Sequence, residues 1–124
     1  MKYVDKIQVE SYNNYMDKQF TAEYTPEALT QLKNLEDPDF EKIAKAIYIF
    51  EHVGNKYKNL NDLGNGLFEL KPDNVRAYFR YIKNRIIIIG LVVLKKTQKA
   101  PKRYIEQAQR NIEKYLQENK ELIQ

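Results

Sequence analysis

Along this chain the spacing of apolar residues switches from strand to helix, back to strand and then to helix again. Lys18 to Tyr24 alternates, with Phe20, Ala22 and Tyr24 on one side and Thr21 and Glu23 on the other, which is a strand pattern. Thr25-Pro26 then opens a helix, Thr25 as N-cap and Pro26 at the first helical position, where its missing N–H costs nothing. Leu29, Leu32 and Leu35 supply that helix's apolar stripe. Asp37-Pro38 repeats the start signal, and a second helix buries Ile43, Ala46, Ile47 and Phe50 before stopping at Gly54. Two consecutive helices joined by a tight turn make a hairpin.

The polar stretch Asn55 to Asn65 reads as a loop, and three strands follow it. Leu67 to Lys71 is short and stops at Pro72, Asp73-Asn74 is a turn pair, and Val75 to Ile82 alternates cleanly. Lys83-Asn84 turns the chain into Arg85 to Lys95, whose consecutive apolar residues predict a strand inside the sheet with both faces covered. Pro101 opens a last helix with Ile105, Ala108, Ile112, Tyr115 and Leu116 on one stripe, and residues 117–124 are expected to fray. The order β-α-α-β-β-β-α is that of an α+β domain with helices packed on an antiparallel sheet that is mixed at its edge. A chain of 124 residues is one domain, with its core over 18–116 and residues 1–16 as an extension without firm period.

Charge changes the picture more than composition does. The net charge is only +4, yet residues 1–70 carry 8 basic and 12 acidic side chains, whereas residues 71–103 carry 10 basic side chains against the single acid Asp73. Segregation of this kind costs self-repulsion and points to a polyanionic partner. There is no cysteine, which fits a reducing, cytoplasmic compartment, and no secretory signal opens the chain. The longest charge-free apolar run, Ile86 to Leu94, is nine residues, far short of a membrane span.

Strand side chains alternate in direction. Phe68 and Leu70 form the core pair of their strand, so Glu69 and Lys71 share the opposite face with Arg76, Tyr78 and Arg80 of the next strand. This is expected to be an open basic face, extended by Lys95 and Lys96 at the end of the last strand and by Lys99, Lys102 and Arg103 beyond it. Arginine forks match phosphate oxygens, lysines add point charge, and a tyrosine ring can stack on an unpaired base, so the face suits exposed RNA. RNA cleavage asks little of an enzyme: in-line geometry for the 2′-OH, proton transfer, and neutralisation of charge building on phosphorus. A two-histidine mechanism is excluded, because His52 is the only histidine, and it is expected to be a surface or cap residue. Glu69 and Asp73 are the only carboxylates close to the basic residues, so no metal or other cofactor is expected. Lysine, arginine, tyrosine and Glu69 remain, a lysine among cations having a lowered pKa fit for proton transfer.

Leu63 to Lys71, Val75 to Tyr81, Lys95-Lys96-Thr97-Gln98-Lys99-Ala100-Pro101, Tyr104 to Ala108 and Phe20 to Ala28, in this order, resemble the conserved pieces of HigB-type toxins in the RelE/ParE superfamily. The resemblance implies the RelE-like microbial ribonuclease fold. It also implies the toxin of a type II toxin–antitoxin system, an endoribonuclease that cuts mRNA in the ribosomal A site without a metal. Its partner would be a cognate antitoxin with a helix-turn-helix domain, in a hetero-oligomer. By motif, Lys71, Arg76, Lys95 and Lys96 fall where the family keeps catalytic or RNA-binding bases, with Glu69, Tyr78, Arg80, Lys99, Lys102 and Arg103 as supporting contacts. Lys71 stands where arginine is more usual, and Ala100 where threonine is. Two alternatives remain open: a gyrase-poisoning toxin of the same fold, and a non-catalytic RNA-binding module of the double-stranded-RNA type. A concave basic sheet face favours the nuclease; basic residues gathered at loop tips and a helix N-terminus favour the module.

Overall fold

The computed structural model describes residues 17–95 and 99–124; the expected extension, 1–16, and Lys96 lie outside the described residues. The elements are β1 (Thr21–Tyr24), α1 (Pro26–Lys33), α2 (Asp37–Val53), β2 (Leu60–Gly64), β3 (Leu67–Leu70), β4 (Val75–Ile82), β5 (Ile86–Leu94) and α3 (Lys102–Glu118), with short 3-10 turns after α2 and α3. The sheet order is β1-β5-β4-β3-β2, parallel between β1 and β5 and antiparallel elsewhere. The α+β fold and its mixed edge are as the sequence predicts. One strand is new. β2 lies inside the stretch expected to be a loop, and it pairs with β3 through a turn in which Asn65 and Gly66 both have positive φ (53° and 80°).

Two helical layers enclose the sheet. On one face α1 and α2 bury Ala28, Leu32, Ile43, Ile47 and Phe50 against Leu70, Val75, Ala77, Phe79, Ile87, Ile89 and Val92. Thr25 caps α1 as expected, its Oγ1 accepting the Ala28 N–H at 3.1 Å. Leu29 is a correction: it is exposed, because the buried stripe of α1 runs through Ala28 and Leu32 instead. On the other face α3 sets Ala108, Ile112 and Leu116 over Leu67, Tyr78, Ile88 and Leu91. The expected fraying of 117–124 is also corrected, since α3 runs to Glu118 and Leu122 packs back onto this second core.

β5 lies inside the sheet, between β1 and β4, and is covered on both faces, as its apolar run predicts. α3 comes so close at Gly90 that a Cβ there would lie 2.6 Å from Ile112 Cγ1 and 2.8 Å from the Ala108 carbonyl oxygen. The register between β4 and β5 shifts at this point, and Asn111 Nδ2 donates to the Gly90 carbonyl at 2.8 Å. Among the described residues no helix is long and apolar enough to cross a membrane.

A candidate basic site at the corner of the sheet

The face shared by Glu69, Lys71, Arg76, Tyr78 and Arg80 exists, but most of it is not open. The amphipathic stripe of α3 needs an apolar bed, and β3, β4 and β5 provide it with Leu67, Ile88, Leu91 and the ring of Tyr78. Tyr78 is 0% exposed, with the Tyr104 ring edge-on at 6.4 Å, so it is a core residue and its ring is closed to a nucleotide base. Arg80 is tied to α3 by a 2.7 Å bond from its Nη1 to Glu113 Oε2. What remains of the basic face is its corner, past the N-terminal end of α3.

The strand register builds that corner. Glu69 stands directly opposite Tyr78, Arg76 lies two residues along β4 on the same face, and Val93 is the cross-strand partner of Arg76. Two residues past Val93, Lys95 continues the ladder, its N–H donating to the Asn74 carbonyl at 2.7 Å. Lys71 continues β3 in the same way, donating to Asn59. Glu69, Arg76 and Lys95 are charged, yet only 0%, 5% and 5% exposed.

Burying charges costs free energy unless they compensate one another. Here compensation is partial. Glu69 accepts from Asn61 Nδ2 at 3.3 Å and faces Arg76 Nε at 3.5 Å, an ion pair too long for a good hydrogen bond. The Arg76 guanidinium folds back onto the carbonyls of Asp73 and Val75. Glu69 Oε2, Arg76 Nε and the Tyr78 hydroxyl are buried without a hydrogen-bond partner, three unsatisfied groups in one place. Burial pushes the Tyr78 hydroxyl well above the usual tyrosine range, and the Glu69 charge adds to this. Burial likewise holds the Lys95 ammonium below the usual lysine range, with Arg76 and Lys71 reinforcing the effect and Glu69 opposing it. A lysine so placed gives up its proton more readily than one in water.

The first turn of α3 borders the corner. It carries Lys102 and Arg103 and no acid, the reverse of what the helix dipole favours. Arg103 lies over the Tyr104 ring at 4.8 Å, while Lys102 makes a 4.0 Å contact with Glu106. Lys99 is exposed. Of the predicted site residues, the structure gathers Glu69, Lys71, Arg76 and Lys95 at the corner and sets Lys99, Lys102 and Arg103 beside it. Arg80 and Tyr78 are drawn into contact with α3, and Lys96 is outside the described residues. His52, expected at the surface or as a cap, is a correction: it is a buried residue, 1% exposed, with Nδ1 2.9 Å from the Tyr48 carbonyl oxygen.

Two neighbours escaped the sequence reading. Asn61 lies on the unforeseen β2, and the Asn65-Gly66 pair, a strong hairpin signal, could have revealed that strand. Tyr104 was visible only as part of a helix start, and its packing on Tyr78 follows from a crossing of α3 that periodicity does not specify.

The family of phage-derived Gp49-like proteins matches residues 30–113, about two thirds of the chain. The chain belongs to this family. No curated protein matches it. Two solved structures share features of this Gp49-like chain. The isolated E. coli RelE toxin aligns with a TM-score of 0.52 at 14% identity, over 73% of this chain and 97% of its own. The toxin–antitoxin complex RelBE2 of Mycobacterium tuberculosis aligns with a TM-score of 0.46 at 18% identity, over 64% of this chain and 94% of the matched one. The E. coli likeness establishes the RelE-like fold for this chain.

Proposed function

We propose that this Gp49-like protein is a toxin of a type II toxin–antitoxin system, of the HigB kind, an endoribonuclease that cuts mRNA on the ribosome and thereby stops translation. The observation that carries the reading is the corner itself: buried Lys95 and Arg76 beside Glu69, at the edge of a cationic surface. In the proposed reaction Arg76 and Lys71 neutralise charge on the scissile phosphate, and Lys95, its ammonium held below the usual lysine range, takes the proton of the 2′-OH as that oxygen bonds to phosphorus; the P–O5′ bond breaks and the leaving 5′-oxygen takes a proton from solvent. No metal is needed, because the nucleophile belongs to the RNA. Lys102 and Arg103 hold the phosphates that follow, and an anion there reverses the cost of placing cations at a helix N-terminus. Lys96 and Lys99 remain in the proposal through the motif they belong to, and Arg80 as a support acting through α3. The cognate antitoxin, with a helix-turn-helix domain, is proposed as the partner that covers the corner, and the cytoplasm as the compartment.

A non-catalytic RNA-binding module is favoured by one observation: Lys99, Lys102 and Arg103 sit in a loop and a helix N-terminus rather than on an open sheet. Primer-extension mapping of a defined mRNA on programmed ribosomes separates the two. Wild-type protein should cut within the A-site codon, and an Arg76→Ala/Lys95→Ala/Lys96→Ala variant should lose about 100-fold or more in rate while still melting cooperatively. Intact mRNA with folded wild-type protein removes the nuclease reading, and a gyrase supercoiling assay then tests the remaining toxin class.

A further inference from the structure

A second cationic surface lies at the other end of the β4–β5 hairpin. The turn Lys83-Asn84-Arg85 is exposed. The Arg85 carbonyl accepts the Thr21 N–H at 2.8 Å, which brings the start of β1, and with it Lys18, to the same end of the sheet. The Tyr81 hydroxyl donates to Asn55 Oδ1 at 2.6 Å, which brings in Lys56. Among the described residues Lys56, Lys83 and Arg85 have no carboxylate partner, and Lys18 shares Glu51 with the Ala22 N–H. β4 has 8 residues, so this end is separated from the Arg76–Lys95 corner by about 25 Å.

The backbone adds an independent sign. Asn84 and Arg85 both take positive φ, 62° and 59°. That conformation suits glycine and, less well, asparagine; a long side chain such as arginine pays for it in steric strain. The loop between Ile82 and Ile86 has three residues; its left-handed position is usually glycine's, and here an arginine holds it. A strained residue kept at a surface tip points to a use for its side chain rather than to the turn's own stability.

We infer that the Lys83–Arg85 tip, with Lys56 and Lys18 beside it, is an anchoring surface for the phosphate backbone of structured RNA, distinct from the corner. The inference rests on the reading of the corner as an RNA-cutting site and gives it a second point of attachment. With the corner on the scissile strand, the tip reaches a separate RNA segment about 25 Å away. Two-point attachment of this kind selects substrates presented by a folded RNA assembly over free single strands.

The test measures equilibrium binding of the full chain to purified ribosomes and to a naked RNA duplex over a range of salt, together with mRNA cleavage at saturating ribosomes. The variants are Arg85→Gly and Lys83→Ser/Arg85→Gly, with Lys45→Ser, a change of exposed charge on α2, as control. Arg85→Gly should melt at the same or a higher temperature, because strain leaves the turn. It should nevertheless bind RNA several-fold more weakly, and the double variant should flatten the dependence of log affinity on log salt by about two. Cleavage at saturation should be retained. Loss of affinity for the ribosome but not for the duplex identifies an assembled RNA surface as the partner, and loss for both identifies duplex backbone in general. Tip variants that bind like Lys45→Ser and wild type overturn the inference and leave the nuclease reading standing. Tip-dependent binding without any cleavage by wild type overturns the nuclease reading and leaves the tip.

Discussion

At the scale of single residues, Glu69 decides the state of the corner. Among the described residues it is the one buried carboxylate beside Arg76, Lys95 and Lys71, and it is held by Asn61 as well as by Arg76. Removing one partner of a buried pair leaves the other charge uncompensated, a loss of about 3–5 kcal/mol. Glu69→Ala should therefore lower the midpoint of urea denaturation by an amount in that range. Glu69→Gln keeps the shape and the Asn61 contact, so it should cost less; but it removes the charge that opposes the depression of Lys95, so the Lys95 ammonium should titrate lower still. If Lys95 is the base, the rise of cleavage rate with pH should then shift to lower pH in Glu69→Gln. An unshifted profile with a normal denaturation midpoint would remove Glu69 from the electrostatics of the site.

At the scale of elements, the pairing of α3 with the sheet turns on Gly90. Ile112 and the Ala108 carbonyl occupy the space a Cβ needs, and the carbonyl, being backbone, cannot rotate away. Gly90→Ala should destabilise the fold by about 1–3 kcal/mol, through displacement of α3, and should reduce cleavage as the first turn of α3 leaves the corner. A Gly90→Ala protein with wild-type midpoint and rate would show that α3 moves freely on the sheet. Gly90 also marks how far the sequence could be read. Runs with a clean period, such as Val75 to Ile82 and the α3 stripe, declared their type through the spacing of their apolar and polar side chains. β2 did not, since Leu60-Asn61-Asp62-Leu63-Gly64 sits at a sheet edge with little apolar content and its pairing is set by the turn. The face bearing Arg76 and Tyr78 was legible as a face; that α3 covers half of it was not. The alternation of a strand says which residues share a side and is silent on what packs there.

At the scale of the whole molecule, three layers set most of the described tyrosines against the sheet or at its margins, and this shapes the response to alkali. Burial, with the Glu51 charge adding to it, pushes the Tyr24 hydroxyl from 10.0 up to about 12. Tyr57, Tyr78, Tyr81 and Tyr115 are displaced upward as well, burial being the largest cause in each. A group whose pKa is raised by folding gives its full stability below the unfolded value and loses it as pH climbs to the folded one. Stability should therefore fall above about pH 10, with Tyr24 alone accounting for about 1 kcal/mol near pH 11. Lys95 acts in the opposite sense. Its folded pKa lies below 10.5, so the folded state binds fewer protons and stability rises as pH approaches 10.5. Below about pH 10 the lysine contribution should leave the denaturation midpoint level or slightly rising, and above it the tyrosines should dominate. Denaturant midpoints for wild type and Tyr24→Phe at about pH 8, 10 and 11 separate these effects, because phenylalanine keeps the ring and removes the proton. The variant should lose less stability than wild type between pH 10 and 11; an equal loss in both proteins would mean that Tyr24 ionises as freely folded as unfolded.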